Sequence, residues 1–94
     1  MNISDLKPQM GSVMLKAEIV EIESPREINK MGRALRVANA TLKDETGTIS
    51  LVLWNDAIDK VQVGNMVQIE NGYVNTWQDK MQLTLGKFGK MNVV

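Results

Sequence analysis

Residues 42–64 read LKDETGTISLVLWNDAIDKVQVG, and the rhythm of apolar residues changes twice within them. In DETG, residues 44–47, an aspartate able to accept backbone N–H bonds precedes a glycine able to take positive φ, which is the chemistry of a tight hairpin turn. TISLVLW, residues 48–54, then alternates with period two. Ile49, Leu51 and Leu53 share one face and Ser50, Val52 and Trp54 the other, so a strand whose leucines enter the core turns Trp54 away from it. After Trp54 the spacing lengthens. Ile58 and Val61 fall three apart, Asn55 or Asp56 stands where a helix cap belongs, and Gly64 closes the segment, predicting a helix of about two turns.

On the N-terminal side, VMLKAEIVEI (13–22) predicts a long first strand with one solvated face and a slip in its alternation. ESPREINKMG (23–32) is polar, holds a proline and ends on glycine, so it predicts a connecting loop of about ten residues. RALRVANATL (33–42) predicts the second strand, joined to the third by the DETG turn. On the C-terminal side, NMVQIENGYV (65–74) and KMQLTL (80–85) alternate again as strands four and five. Between them NTWQD (75–79) predicts a turn with Trp77 at its tip. Five short strands with a helix between the third and fourth match an all-β, five-stranded Greek-key OB barrel, with an SH3-like barrel as the structural alternative. We expect one domain over residues 1–94: an N-terminal extension to about residue 12, the barrel over 13–85 and a C-terminal segment over 86–94, either alone or as one barrel of a longer chain with several.

Composition narrows the chemistry. The 94 residues carry 11 Lys plus Arg and 11 Asp plus Glu, so a charged site must come from local clustering. Without cysteine there are no disulfides or thiolate metal sites, and without histidine the commonest acid/base group and metal ligand is missing. An enzyme would need paired carboxylates in one cleft. The nearest pairs, Asp44 with Glu45 and Asp56 with Asp59, read as turn and cap residues, so no enzyme, metal or cofactor is expected. No apolar run approaches the roughly 20 residues of a membrane span, and the first twelve residues lack a secretory pattern, so the expected location is the cytoplasm, at the nucleoid.

The four aromatic residues supply the candidate site. OB barrels bind oligonucleotides on the face of strands two and three, between the loops joining strands one to two and four to five. Trp54 ends strand three, Tyr73 falls at the end of strand four and Trp77 lies in the following turn, so the three converge on one groove. Exposed aromatic rings stack on any base, although barrel-end packing is the ordinary use of an aromatic in so small a domain. Phe88 reads as packing. Arg33, Arg36, Lys30, Lys80, Lys87 and Lys90 are candidate phosphate contacts, because the acids Glu18, Glu21, Glu23, Asp56 and Asp59 fall mainly in the first strand and the helix. Gln82, Thr84, Asn39 and Ser50 share the aromatic side by parity and are candidate hydrogen-bonding partners of bases or sugars.

These residues together resemble the single-stranded-DNA-binding OB domains of archaeal replication protein A and the related archaeal single-strand-binding proteins. The likeness runs over about the whole chain, through LKP at 6–8, DETG at 44–47, LVLW at 51–54, GNMVQIENGYV at 64–74 and the aromatic of NTWQ at Trp77. It implies base stacking by Trp54, Tyr73 and Trp77, with single-stranded DNA as ligand and replication or repair proteins or further OB domains as partners. The chain departs from the family in stopping at Val94, without the glycine-rich or acidic tail of some members, and Arg33 and Arg36 are not placed as in every relative. Two other readings stay open. The same aromatics suit a protein-interaction barrel, since exposed aromatic anchors are typical of interface hot spots, and stacking on single-stranded RNA would ignore the sugar. An isolated Trp77 beside Lys80 favours bases, and a continuous apolar patch around it favours protein.

Overall fold

The computed structural model describes residues 2–85 and 89–94. Its elements are a 3-10 turn (Ile3–Asp5), β1 (Val13–Ile22), β2 (Arg26–Lys30), β3 (Arg33–Asp44), β4 (Gly47–Trp54), α1 (Asp56–Asp59), β5 (Met66–Trp77), β6 (Lys80–Thr84) and β7 (Lys90–Val93). The sheet closes on itself through β1, β3, β4, β6 and β5 and back to β1, with β4 and β6 parallel and the other barrel pairs antiparallel. This is the all-β OB barrel expected from the rhythm of the chain, and its five strands are β1, β3, β4, β5 and β6. Among the described residues no helix is long and apolar enough to cross a membrane.

The inner faces alternate as period two requires. Val13, Leu15, Ala17 and Ile19 of β1 are buried between exposed Met14, Lys16 and Glu18, and the expected slip is a bulge at Val20, where the register with β3 shifts. Ala40, Leu51, Leu83 and Val74 pair across four strands as one fully buried row. Burial stabilises each leucine by roughly 1.5–3 kcal/mol. Between β5's two halves the backbone bends at Asn71, whose φ is 55°, and Gly72. A Cβ at Gly72 would lie 3.0 Å from the Ile69 side chain and 3.1 Å from that of Leu83, so glycine lets the barrel close there.

Several expectations are corrected. Residues 23–32 are not simply a loop: β2 pairs with β3 from Arg26 opposite Val37 to Lys30 opposite Arg33, making a two-stranded ribbon. Its turn, Met31 and Gly32 with φ 53° and 77°, is the two-residue kind whose twist suits a hairpin. In the C-terminal segment β7 pairs with residues 67–70 of β5, so the sheet has seven strands. The N-terminal extension enters the barrel, because Ile3 and Leu6 are buried in the core. The helix is a single turn, and Asn55 does not cap it. Instead the Asn55 Oδ1 accepts the Arg36 N–H at 3.0 Å and the Asn55 N–H donates to the Arg36 carbonyl at 2.9 Å, fastening the end of β4 to β3. Ile58 and Val61 still close one end of the barrel.

Candidate nucleic-acid interface

The register of the strands assembles one continuous outer face. Directly paired residues share a face, so successive rows can be read across the sheet. Trp77 pairs with Lys80. Next, Asn75, Gln82, Ser50 and Thr41 form a row across β5, β6, β4 and β3. Tyr73, Thr84, Val52 and Asn39 form the row after that, then Trp54 with Val37 and Arg26, then Leu35 with Ile28, and last Arg33. At about 3.3 Å per residue along a strand, Trp77 and Tyr73 stand about 13 Å apart on β5. Trp54 lies one row further on and two strands across, so the three rings mark a diagonal over the barrel.

All three rings are open to solvent, Trp54 at 40%, Tyr73 at 39% and Trp77 at 54% exposure. Parity holds Trp54 out of the core, as expected, but Val52 on the same face is buried, as is Val37. These two valines stand outside the interior cluster and give the groove an apolar floor beside Trp54. Tyr73 is oriented from the N-terminal segment. Its hydroxyl donates to Gln9 Oε1 at 3.3 Å, and the adjoining backbone is held by the Gln9 N–H to the Val74 carbonyl and the Val74 N–H to the Met10 carbonyl. Trp77 is the last residue of β5 rather than the tip of a turn. The tip is Gln78 and Asp79, with φ 50° and 63°, so strand geometry sets the direction of the indole.

The charges divide between the two sides of β3. Arg26, Arg33 and Lys80 stand on the aromatic face, while Glu21, opposite Thr41, stands at its far edge on β1. A neutral chain thereby presents a positive strip. Arg36 belongs to the other side. It pairs with Glu27 on the ribbon, and its Nη2 donates to Asp59 Oδ2 at 2.7 Å. The Asp59 hydrogen bond, then its charge, raises the Arg36 pKa further above its already high ordinary value. Arg33 and Arg36 lie on the same strand, but an odd spacing of three puts them on opposite faces. Lys90 pairs with Glu70, on the half of β5 away from Trp77. Lys87 and Phe88 lie outside the described residues.

The ribbon carries what the sequence reading missed. Arg26, Ile28 and Leu35 join the face only because residues 26–30 are a strand, and the signal was there: REINK and RALRV have strand-compatible alternation on either side of a Met-Gly turn. Asn75 and Thr41 were overlooked because nothing but strand register places them in a row with Gln82 and Ser50. Among the described residues no group of three or more Asp or Glu side chains is arranged to hold a metal ion.

Residues 6–93 match the family described as single-stranded DNA binding protein Ssb-like, OB fold. The chain is 29% identical over 89 residues to Single-stranded DNA binding protein Ssb of Saccharolobus solfataricus, covering 95% of this chain and 60% of that protein. It is 30% identical over 95 residues to Replication factor A of Methanothermobacter thermautotrophicus, covering 95% of this chain and 12% of that protein. The chain therefore spans less than two thirds of the length of either relative. The second OB-fold domain of replication protein A from Methanococcus maripaludis superposes with a TM-score of 0.80 at 26% identity, covering all of this chain and 93% of that one.

Proposed function

We propose, from the premise that the chain belongs to the Ssb-like OB-fold family of single-stranded DNA binding proteins, that the molecule binds single-stranded DNA with little sequence preference along the diagonal from Trp77 to Arg33. The observation that carries this is the single outer face that brings three half-exposed aromatic rings together with Arg26, Arg33 and Lys80. Every base has a π-face, so stacking on Trp77, Tyr73 and Trp54 is worth about 1–3 kcal/mol per base whatever the sequence. Arg26, Arg33 and Lys80 neutralise phosphates, releasing counterions and making the affinity fall with salt. Gln82, Thr84, Asn39 and Ser50 supply hydrogen bonds to bases or sugars from the rows between the rings. A duplex, whose bases are already stacked and paired, cannot lay them on these platforms.

The role is that of a binding module and not an enzyme, coating strands exposed in replication, recombination or repair at the nucleoid. Replication proteins and further OB domains are the partners that fit it. The environment of Trp77 supports bases over a protein ligand: its cross-strand neighbour is Lys80, and Asn75 and Gln82 form the adjoining row, so no continuous apolar patch surrounds it.

Titration with short oligo-dT, followed by tryptophan fluorescence at two salt concentrations, tests the reading, with duplex DNA and oligo-U of equal length alongside. Saturable quenching that weakens with salt and is absent with duplex is expected. Equal response to oligo-U would extend the ligand to RNA, and no response to oligo-dT at low salt would overturn single-strand binding.

A further inference from the structure

The row next to Trp77 contains an anomaly. Asn75 Oδ1 is buried and has no hydrogen-bond partner. Asn75 sits midway between Tyr73 and Trp77 on the same face of β5, about 6.6 Å from each along the strand. Across the sheet it is followed by Gln82, Ser50 and Thr41. Among the described residues none of these four side chains makes a hydrogen bond within the protein. A buried carbonyl oxygen without a donor is costly, and such atoms call for an explanation in a folded protein.

We infer that Asn75 is a base-contacting residue, whose carboxamide oxygen accepts a hydrogen bond from the Watson–Crick edge of the base held between Tyr73 and Trp77. This rests on the single-strand reading above and names a contact within that site. The ligand group required is an N–H donor in the plane of a base. The aromatic rings hold the π-faces of bases, so the base edges are directed along the floor between the rings, where this row lies. The terminal torsion of asparagine is soft, so the amide can turn its oxygen from the floor toward the groove. Phosphates cannot answer the oxygen, since they offer acceptors alone at neutral pH.

The contact is compatible with binding any sequence. Cytosine and adenine carry exocyclic amino groups, guanine carries an amino and an imino N–H, and thymine carries the imino N3–H. Each base can therefore satisfy the oxygen, which favours a base edge over bare sugar-phosphate without choosing among the four.

Two arms test it, both by fluorescence titration of the whole chain. Asn75→Leu keeps the size of the side chain and removes the amide. It is expected to bind oligo-dT about three- to tenfold more weakly, the size of one neutral hydrogen bond, while its Tm stays level or rises because an unpaired buried polar atom has gone. In the second arm, parent protein is titrated with an oligonucleotide of N3-methylthymidine, which keeps the stacking face and loses the donor. The parent is expected to lose a similar factor, and Asn75→Leu to be indifferent to the methyl group. Oligo-dT affinity unchanged in Asn75→Leu, or a methyl effect of equal size in both proteins, would overturn the assignment and leave single-strand binding intact. If the parent ignores oligo-dT altogether, that broader reading falls and takes this contact with it. The methylated ligand also keeps the test open should the variant fold poorly.

Discussion

At the 44–47 turn the side chains of Asp44 and Thr46 are tied into hydrogen bonds with the fold, whereas at the 78–79 turn the polar side chains stand in solvent. Asp44 Oδ1 accepts from the Thr46 N–H at 2.7 Å, the Thr46 hydroxyl at 2.6 Å and the Gly47 N–H at 3.1 Å, and Oδ2 accepts from the Ile3 N–H at 2.8 Å. The Ser4 N–H donates to the Thr46 hydroxyl at 3.1 Å. The turn therefore holds two strands together and seats the N-terminal segment, whose Ile3 enters the core. Gln78, Asp79 and the closing pair Trp77 and Lys80 are all exposed, and none of their side chains takes part in a hydrogen bond among the described residues. Both are tight hairpin turns, yet one is built for the fold and the other leaves its groups available to a ligand. A turn's length says how the chain reverses. The partners of its side chains say what it is for.

Trp77→Ala should separate the two most widely. It is expected to weaken oligo-dT binding by about 1–3 kcal/mol with Tm unmoved, measured by titration and thermal melting. A fall in Tm of several degrees would instead make Trp77 a packing residue and erase the contrast.

Asp44→Ala should show the opposite pattern, a loss of about 1–2 kcal/mol in urea denaturation with affinity per folded molecule unchanged. Combined with Trp77→Ala, the effects on stability and affinity should add, since the two sites share no partner.

A smaller effect distinguishes the carboxylate itself. Burial acts to raise the Asp44 pKa, but the hydrogen bonds from Thr46, Ile3 and Gly47 outweigh it and hold the value below the ordinary one. Its contribution is fully present above the ordinary carboxylate pKa and is lost as pH falls through the depressed one. Urea midpoints taken from neutral pH down into the acid range should therefore fall less steeply for Asp44→Asn than for the parent. Identical slopes would mean that the hydrogen bonds do not depend on the charge.

The smallest change belongs to the open turn. Asp79 holds a positive φ that glycine adopts freely, so Asp79→Gly should raise stability by about 0.5 kcal/mol. Because Asp79 is the acid next to Lys80, the same variant should bind oligo-dT slightly more tightly at low salt and equally at high salt.

Much of the fold was legible because small barrels repeat a simple rule. Ile49, Leu51 and Leu53 alternate cleanly, the DETG turn carries its own chemistry, and the outward direction of Trp54 follows from parity alone. The ribbon was only faintly legible: Pro25 and a run of polar residues outweigh the alternation of REINK, and the pairing of β2 is secured by β3 and not by burial of an apolar face. Trp54, Tyr73, Trp77, Lys80, Gln82 and Thr84 share one outer face of the barrel. Residue type suggests phosphate contact for Arg36, while its side chain is engaged with Asp59.

By itself the chain determined the succession of the five barrel strands along the sequence, the position of the helix between the third and fourth of them, and which residues of each share a face, because those depend on local periodicity and turn chemistry. Only the tertiary structure decided which faces of different strands meet. Register between distant segments brings Asn75 beside Gln82 and Trp54 within reach of Tyr73. It also turns Arg33 toward the aromatic face and Arg36 toward the helix. That register is set by closing one shared core across strands far apart in sequence, and no single stretch of the chain contains it.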